Sequence, residues 1–334
     1  MRILFWGTPD FAVPPLRALL GEGYDVCGVV TGVDKPRGRS RSRLDPSPVK
    51  ALAAAEGLPV LQPERPRGDA FLDEVRALAP ELSVVVAYGH ILPRAAIDLP
   101  PRGTLNIHAS LLPLLRGADP IRAAIRQGFA DTGVTIMRMV PALDAGPVLH
   151  THETPIASDE TYGELWERLA ELGAVALVEA LTLLELGAAR ETPQDDARAT
   201  YAPKVTRADA RLDWTRPAED VARAVRAYDP RPGAFGVLRS TVGGPERDPV
   251  EVKLFGARPV PAEAHPDVTP GEVIALGAEG LDVRCGEDAV RVTHVQPAGR
   301  ARLTAAEWAR GRGVELGDLF EPVPGTLPVG SLDG

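Results

Sequence analysis

Asn106, Ile107 and His108 close a short apolar run, and Ser110-Leu111-Leu112-Pro113 follows at once. If Thr104–Ile107 is a strand, Asn106 and His108 project to the same side, because strand side chains alternate. Open parallel sheets place ligands at the carboxyl ends of their strands. An amide there supplies a fixed hydrogen-bond donor and an imidazole supplies a titratable group, the two things acyl transfer needs. A hydrogen-bonded structural pair at a strand end is the plainer alternative. Leu143-Asp144-Ala145-Gly146 is the second place of interest. An acid in a glycine-flanked turn can reach the same crevice and hold an imidazole in one tautomer; taken alone it is a turn aspartate. Gly7-Thr8-Pro9-Asp10 is half of a nucleotide-binding glycine turn, without the full GxGxxG, so a nicotinamide site is poorly supported. Asp10 serves equally as a helix cap. No metal site is expected: His150 and His152 share a strand face but lack a neighbouring cysteine or a spaced acid cluster. Serine hydrolysis lacks its GxSxG elbow.

The spacing of apolar residues predicts the scaffold that must hold these groups. Arg2–Trp6, Val26–Thr31, Val60-Leu61, Leu82–Ala87, Thr104–Ile107 and Gly133–Met139 read as strands, with Pro147–His152 at a sheet edge. Ala12–Leu20, Pro48–Glu56, Phe71–Leu78, Ala118–Gly128 and Tyr162–Glu185 read as helices. Strands alternating with helices predict an α/β fold with an open, mostly parallel, Rossmann-like sheet. Beyond it, Arg190–Ala202 is polar and reads as a connection, and Ala218–Tyr228 has helical spacing. Five short β-rich runs between Phe235 and Val295 predict a small barrel. The expected division is therefore a catalytic domain at 1–189, a linker at 190–206, a C-terminal OB-like β-barrel domain at 207–318 and a flexible tail at 319–334.

The chain has 334 residues, enough for two cores. Its two cysteines argue against a disulfide framework, and Cys27 lies in the apolar run Val26–Val30. No basic segment precedes an apolar one at the start, and no run has the ~18 apolar residues of a membrane span. A cytoplasmic protein with no membrane partner, acting as a monomer, is the simplest expectation. The formal net charge of −9 argues against a general nucleic-acid coat. Lys35, Arg37, Arg39, Arg41 and Arg43, however, alternate with small residues and no acid. That segment reads as a solvated loop, and as the first place for phosphate contacts if a polyanion is a substrate.

Several longer motifs then fit one family. Gly7-Thr8-Pro9-Asp10-Phe11, Pro46–Lys50, Ala87-Tyr88-Gly89 with Leu92-Pro93, Asn106–Pro113, Arg116-Gly117-Ala118, Gly133–Met137 and Asp144-Ala145-Gly146 resemble the methionyl-tRNA formyltransferases, of the folate-dependent formyltransferase superfamily. Tyr201–Lys204 and Ala210–Trp214 resemble the linker and second-domain entry of the same family, so the resemblance runs nearly the whole length. It implies 10-formyltetrahydrofolate as donor and methionyl initiator tRNA as acceptor. Asn106 would donate to the formyl oxygen, His108 would move the proton, and Asp144 would orient His108. Tyr88, Gly89, Ile91 and Leu92 would line the folate pocket with Ser110, Leu111, Leu112 and Pro113. The basic loop and Lys204 would contact the tRNA. One departure stands out: Leu114 and Leu115 occupy positions where the family often carries a basic and an aromatic residue. Residues 207–334 hold 16 basic and 20 acidic residues, so any tRNA surface there must be a local patch. A formyltransferase acting on a small-molecule amine would need the same triad but neither the arginine-rich loop nor so large a second domain. A non-catalytic RNA-binding protein would not need the triad.

Overall fold

Ile3, Leu4, Phe5 and Trp6 are all completely buried in β1 (Arg2–Gly7), the continuous apolar run of a strand covered on both faces. The computed structural model describes residues 1–37, 43–240, 248–263 and 268–323. After β1 come α1 (Val13–Gly21), β2 (Asp25–Val30), the hairpin β3 (Lys35–Arg37) and β4 (Arg43–Asp45), α2 (Pro48–Ala55), β5 (Val60–Leu61), α3 (Asp69–Ala77) and β6 (Leu82–Val86). The chain continues through α4 (Arg94–Ile97), β7 (Thr104–His108), β8 (Arg116–Gly117), α5 (Pro120–Gln127), β9 (Asp131–Arg138), β10 (Val148–Pro155), α6 (Tyr162–Glu185) and β11 (Tyr201–Ala202).

The main sheet has the order β10-β9-β7-β6-β1-β2-β5. The five strands from β7 to β5 are parallel, whereas β9 and β10 close one side antiparallel, with β10 at the edge. This is the expected α/β fold with a mostly parallel sheet. The chain runs outward from β1 to β5, then returns to β6 and runs the other way. A crevice therefore opens beyond the carboxyl ends of β1 and β6. Thr8 Oγ1 donates to the Tyr88 carbonyl across it, at 3.0 Å. On one face, Leu4, Trp6 and Val85 pack with Phe71, Leu72 and Val75 of α3. The Trp6 indole finds a partner in Ser83 Oγ at 3.1 Å, so its burial leaves no polar group unpaired. On the other face α6 comes so close that a Cβ added to Gly173 would lie 3.1 Å from Ile107.

Two expectations change. The basic segment is not wholly loop: Lys35 pairs with Asp45 and Arg37 with Arg43 in an antiparallel ladder. Nor is the stretch from 190 to 203 a bare linker. Thr192 exchanges backbone hydrogen bonds with Val148, and β11 pairs in parallel with β8. A polar segment can pack this way because its partners are backbone groups rather than apolar side chains. It belongs to a first compact unit made of Met1–Ile121, Ala130–Pro155 and Leu165–Pro203.

The second unit comprises Arg122–Phe129, Ile156–Glu164 and the described residues from Lys204 onward. Its elements are α7 (Ala218–Tyr228), β12 (Phe235–Arg239), β13 (Val250–Val260), β14 (Val273–Gly277), β15 (Gly280–Arg284), β16 (Ala289–Pro297), β17 (Leu303–Thr304), α8 (Ala305–Arg310) and β18 (Leu319–Phe320). The antiparallel path β14-β15-β16-β13-β12-β18 returns on itself through a bridge between Glu272 and Leu319. Closure of this kind makes the expected OB-like barrel, and it removes open edges. Trp214 and Phe320 are buried in its core with ring centroids 5.1 Å apart. That corrects the expectation of a flexible tail from 319: Phe320 completes the barrel, and residues 324–334 lie outside the described part. α8 starts with a capping box, Thr304 Oγ1 accepting from Glu307 N while Glu307 reaches back to Thr304. Both cysteines are buried, and burial pushes the thiols up, that of Cys285 to about 12. Among the described residues no helix is long and apolar enough to cross a membrane.

Candidate active site

β7 places Asn106 opposite Met137 and His108 opposite Thr135 of β9, at the carboxyl end of the parallel strands. The buried Ile107 between them faces α6, which leaves Asn106 and His108 on the same side, as the alternation predicts. The Asn106 amide is partly exposed and has no hydrogen-bond partner among the described residues. Its donor is therefore available to a carbonyl oxygen. His108 is 6% exposed and tightly bounded. Its Nε2 lies 3.0 Å from the Leu115 carbonyl. A carbonyl only accepts, so Nε2 carries the hydrogen and Nδ1 is the nitrogen that remains for proton traffic.

Nδ1 faces Asp144 Oδ2 at 3.7 Å, beyond a direct hydrogen bond but close enough to stabilise an imidazolium. The same carboxylate oxygen accepts from the Gly117 amide at 2.8 Å. The structure thus brings the three triad residues together, but gives the orienting contact on His108 to Leu115 instead of Asp144. Leu115 (φ 58°) and Asp144 (φ 48°) both sit in the left-handed region. That conformation costs an L-residue about 1–2 kcal/mol, so surrounding contacts must hold it. Leu115 N donates to Thr200 Oγ1 at 2.8 Å, and Thr200 O accepts from Arg116 N at 2.8 Å. Gln194 Nε2 donates to the carbonyls of Asp144 and Gly146, at 2.8 and 2.7 Å. Its Oε1 accepts from the buried Arg116 guanidinium. Nothing in sequence spacing points to Thr200 or Gln194, because both come from the stretch that composition marks as a linker.

The remaining expected residues divide. Ser110 is buried, donates to Leu114 O at 2.6 Å, and its own carbonyl accepts from Thr135 Oγ1 at 2.6 Å. Leu111, Leu112 and Pro113 are half-buried along the same edge. Gly89 and Ile91 are exposed beyond β6, Ile91 at 89%. Tyr88 and Leu92 turn inward instead. The Tyr88 ring packs edge-on to Trp6 at 5.4 Å, its hydroxyl has no partner, and burial pushes it up to about 12. The apolar cluster under β6 takes these two side chains. Lys35 and Lys204 are exposed, each in its own unit. Arg37 and Arg43 hold the base of the hairpin by their backbones, and Arg39 and Arg41 lie outside the described residues. Among the described residues no cluster of metal-ligating side chains occurs.

Comparison with known proteins gives a concordant picture. Residues 1–181 match the model of the family described as formyl transferase, and residues 204–313 match that of the formyl transferase C-terminal domain. A methionyl-tRNA formyltransferase of Aromatoleum aromaticum is 46% identical over 96% of this chain and 97% of its own. Another, from Symbiobacterium thermophilum, is 45% identical over 96% of each chain. Among solved structures, HypX from Aquifex aeolicus in complex with tetrahydrofolic acid superposes with a TM-score of 0.59 at 25% identity. That match covers 98% of this chain but 50% of HypX, so the chain spans about half the length of the HypX structures it matches.

Proposed function

The chain belongs to the formyl transferase family, and on that basis we propose that it transfers the formyl group of 10-formyltetrahydrofolate to the amino group of methionyl initiator tRNA. The observation that carries the reaction is the unpartnered Asn106 amide two residues from His108, whose Nε2 is committed to Leu115 O. Asn106 donates to the formyl oxygen as negative charge grows there, the preorganised donor that acyl transfer requires. His108 accepts the proton of the attacking amine at Nδ1 and returns it to the departing folate nitrogen. Asp144 stabilises the imidazolium during that passage while Gly117 N fixes the carboxylate. The bond formed is amine nitrogen to formyl carbon, the bond broken is formyl carbon to folate nitrogen, and one proton crosses between the two nitrogens. Exposed Ile91 and half-buried Leu111, Leu112 and Pro113, which follow β6 and β7, fit a flat heteroaromatic donor beyond the carboxyl ends of the strands.

The acceptor rests on the relatives, which match across both units and are named for methionyl-tRNA. The basic residues Lys35, Arg37, Arg39, Arg41 and Arg43 and the exposed Lys204 are the groups we assign to tRNA phosphates. The same reading makes the enzyme a cytoplasmic monomer with a catalytic domain followed by a tRNA-assisting barrel. The test is incubation with 10-formyltetrahydrofolate and methionyl initiator tRNA, beside methionyl elongator tRNA. Formylation confined to the initiator is expected. Formylation of neither tRNA refutes the acceptor and directs the search to small-molecule amines.

A further inference from the structure

The two residues of the triad that handle the proton are each held in place by one segment far along the chain. Leu115, whose carbonyl fixes His108 Nε2, has its own amide bound by Thr200 Oγ1. Thr200 also donates its backbone N–H to Pro113 O at 3.3 Å and accepts from Arg116 N, so it clasps the left-handed Leu115 from both sides. Gln194 binds the carbonyls on either side of the Asp144 turn, at Asp144 and Gly146. Arg116 ties the two holds together: its guanidinium donates to Gln194 Oε1, and its backbone follows Leu115. Neither Thr200 nor Gln194 presents an apolar surface to a core, and Thr200 is exposed. Their hydrogen bonds end on the backbone of the turns beside His108 and Asp144 or on Arg116 between them, apart from a 4.0 Å contact of Gln194 Nε2 with Met137 Sδ.

We propose that Thr200 and Gln194 are positioning residues for formyl transfer, Thr200 setting the His108 tautomer through Leu115 and Gln194 setting the Asp144 turn. This rests on the reading of His108 and Asp144 as the proton-handling pair. The hydroxyl of Thr200 stands where a methyl cannot replace it, because Leu115 N needs an acceptor in a partly buried place. Losing it frees Leu115 to leave the left-handed region and rotate its carbonyl away from Nε2. The neutral ring then takes either tautomer, and one of them puts a hydrogen on the nitrogen that must accept one. The effect falls on chemistry and not on substrate binding, since the Thr200 hydroxyl binds Leu115 N while its contact with Pro113 is made by backbone N–H, which the substitutions keep, and Gln194 binds the Asp144 turn and Arg116.

The experiment uses the full-length enzyme with 10-formyltetrahydrofolate and methionyl initiator tRNA. kcat and both KM values are measured for the wild type, Thr200→Val, Thr200→Ser and Gln194→Ala. Thr200→Val is expected to lose about 10- to 100-fold in kcat with KM unchanged, the range for sub-ångström to ångström misplacement. Thr200→Ser, which keeps the hydroxyl, restores the rate, and Gln194→Ala behaves like the valine variant. A second readout needs no variant of either residue to fold: nitrogen-15 spectra of histidine-labelled wild type, with His108 assigned through His108→Asn, must give the Nε2–H tautomer. An Nδ1–H tautomer overturns the proposal, as does a Thr200→Val enzyme with wild-type kcat or a loss confined to KM. His108→Asn and Asp144→Asn separate the two levels. If both keep near-wild-type turnover, the catalytic reading fails; if they lose it while Thr200→Val does not, only this inference fails.

Discussion

Replacing Tyr88 by Phe should make the first unit more stable. The ring is 3% exposed, its edge-on contact with Trp6 survives the change, and only a hydroxyl without a partner is removed. A buried polar group left unpaired costs about 1–3 kcal/mol. Taking ~1.5 kcal/mol, and about 2–4 °C per kcal/mol for a unit of this size, the melting temperature should rise by roughly 3–6 °C near neutral pH. Alkali gives a second, independent check. Burial lifts this phenol from 10.0 to about 12, so the folded protein holds its proton where the unfolded chain has released it. A raised value means stability is full below the unfolded value and is lost as pH climbs through the folded one. At pH 11 the wild type should therefore give up about 1.4 kcal/mol more than the variant, which has nothing to titrate there. Melting both proteins at pH 8 and pH 11 reads the two effects separately, and turnover should not change. A variant less stable than wild type at pH 8, or a gap that does not widen at pH 11, refutes the reasoning.

Asn106→Ala should lower kcat by about 10²- to 10³-fold, the worth of one donor to a developing oxyanion, while the thermal melt stays at the wild-type position. Near-wild-type turnover would remove Asn106 from the mechanism. Gly117→Ala should destabilise by more than about 1 kcal/mol, because residue 117 has φ 115° and the new Cβ would lie 2.7 Å from the Ala202 carbonyl. The variant should also lose activity, since the same amide anchors Asp144, and a melt equal to wild type would refute the geometry. In acid, four carboxylates are held below their usual range: Asp34 by Lys50 and then Gln62, Glu164 and Asp209 by Thr161 and Thr206, and Glu307 by Thr304. Depressed values mean their support is full above the unfolded values of 3.8 and 4.5 and disappears as pH falls through the folded ones. Melting temperatures should accordingly stay level down to about pH 5 and drop below pH 4; a melt unchanged at pH 3 would refute this.

The parallel sheet was legible because its strands are apolar on both faces, and a run such as Leu82–Val86 admits few other readings. Period-two alternation likewise puts Asn106 and His108 on one side of β7. The barrel was legible from short β-rich runs, but its closing strand was not. Leu319 and Phe320 are two residues in a Pro- and Gly-rich stretch, and only pairing with Arg239, Leu238 and Glu272 makes them a strand. Tyr88 defeats pattern reading in another way. Residues that follow a strand end can point out of the sheet or back beneath it, and Trp6 and Phe71 decide which. The segment carrying Gln194 and Thr200 defeats it most completely. Its contacts go from polar side chains to backbone atoms 48 to 85 residues earlier, and such contacts leave no periodicity in composition. The Leu114-Leu115 departure also loses its force, since residue 115 acts through its carbonyl and its side chain is buried.

The place of Gln194 and Thr200 along the chain sets a timetable for the protein's birth. A ribosome delivers Asn106, His108 and Asp144 well before the residues that clasp them. The 50 residues from Asp144 to Gln194 take roughly 3–10 s to make at about 5–20 residues per second. Through that interval the Leu115 amide lacks the Thr200 hydroxyl and the carbonyls of the Asp144 turn lack Gln194. On the proposed roles of these residues the set is complete with Thr200, a few residues before the last stretch of the second unit starts at Lys204. The polar holds on the two turns are thus completed late in translation.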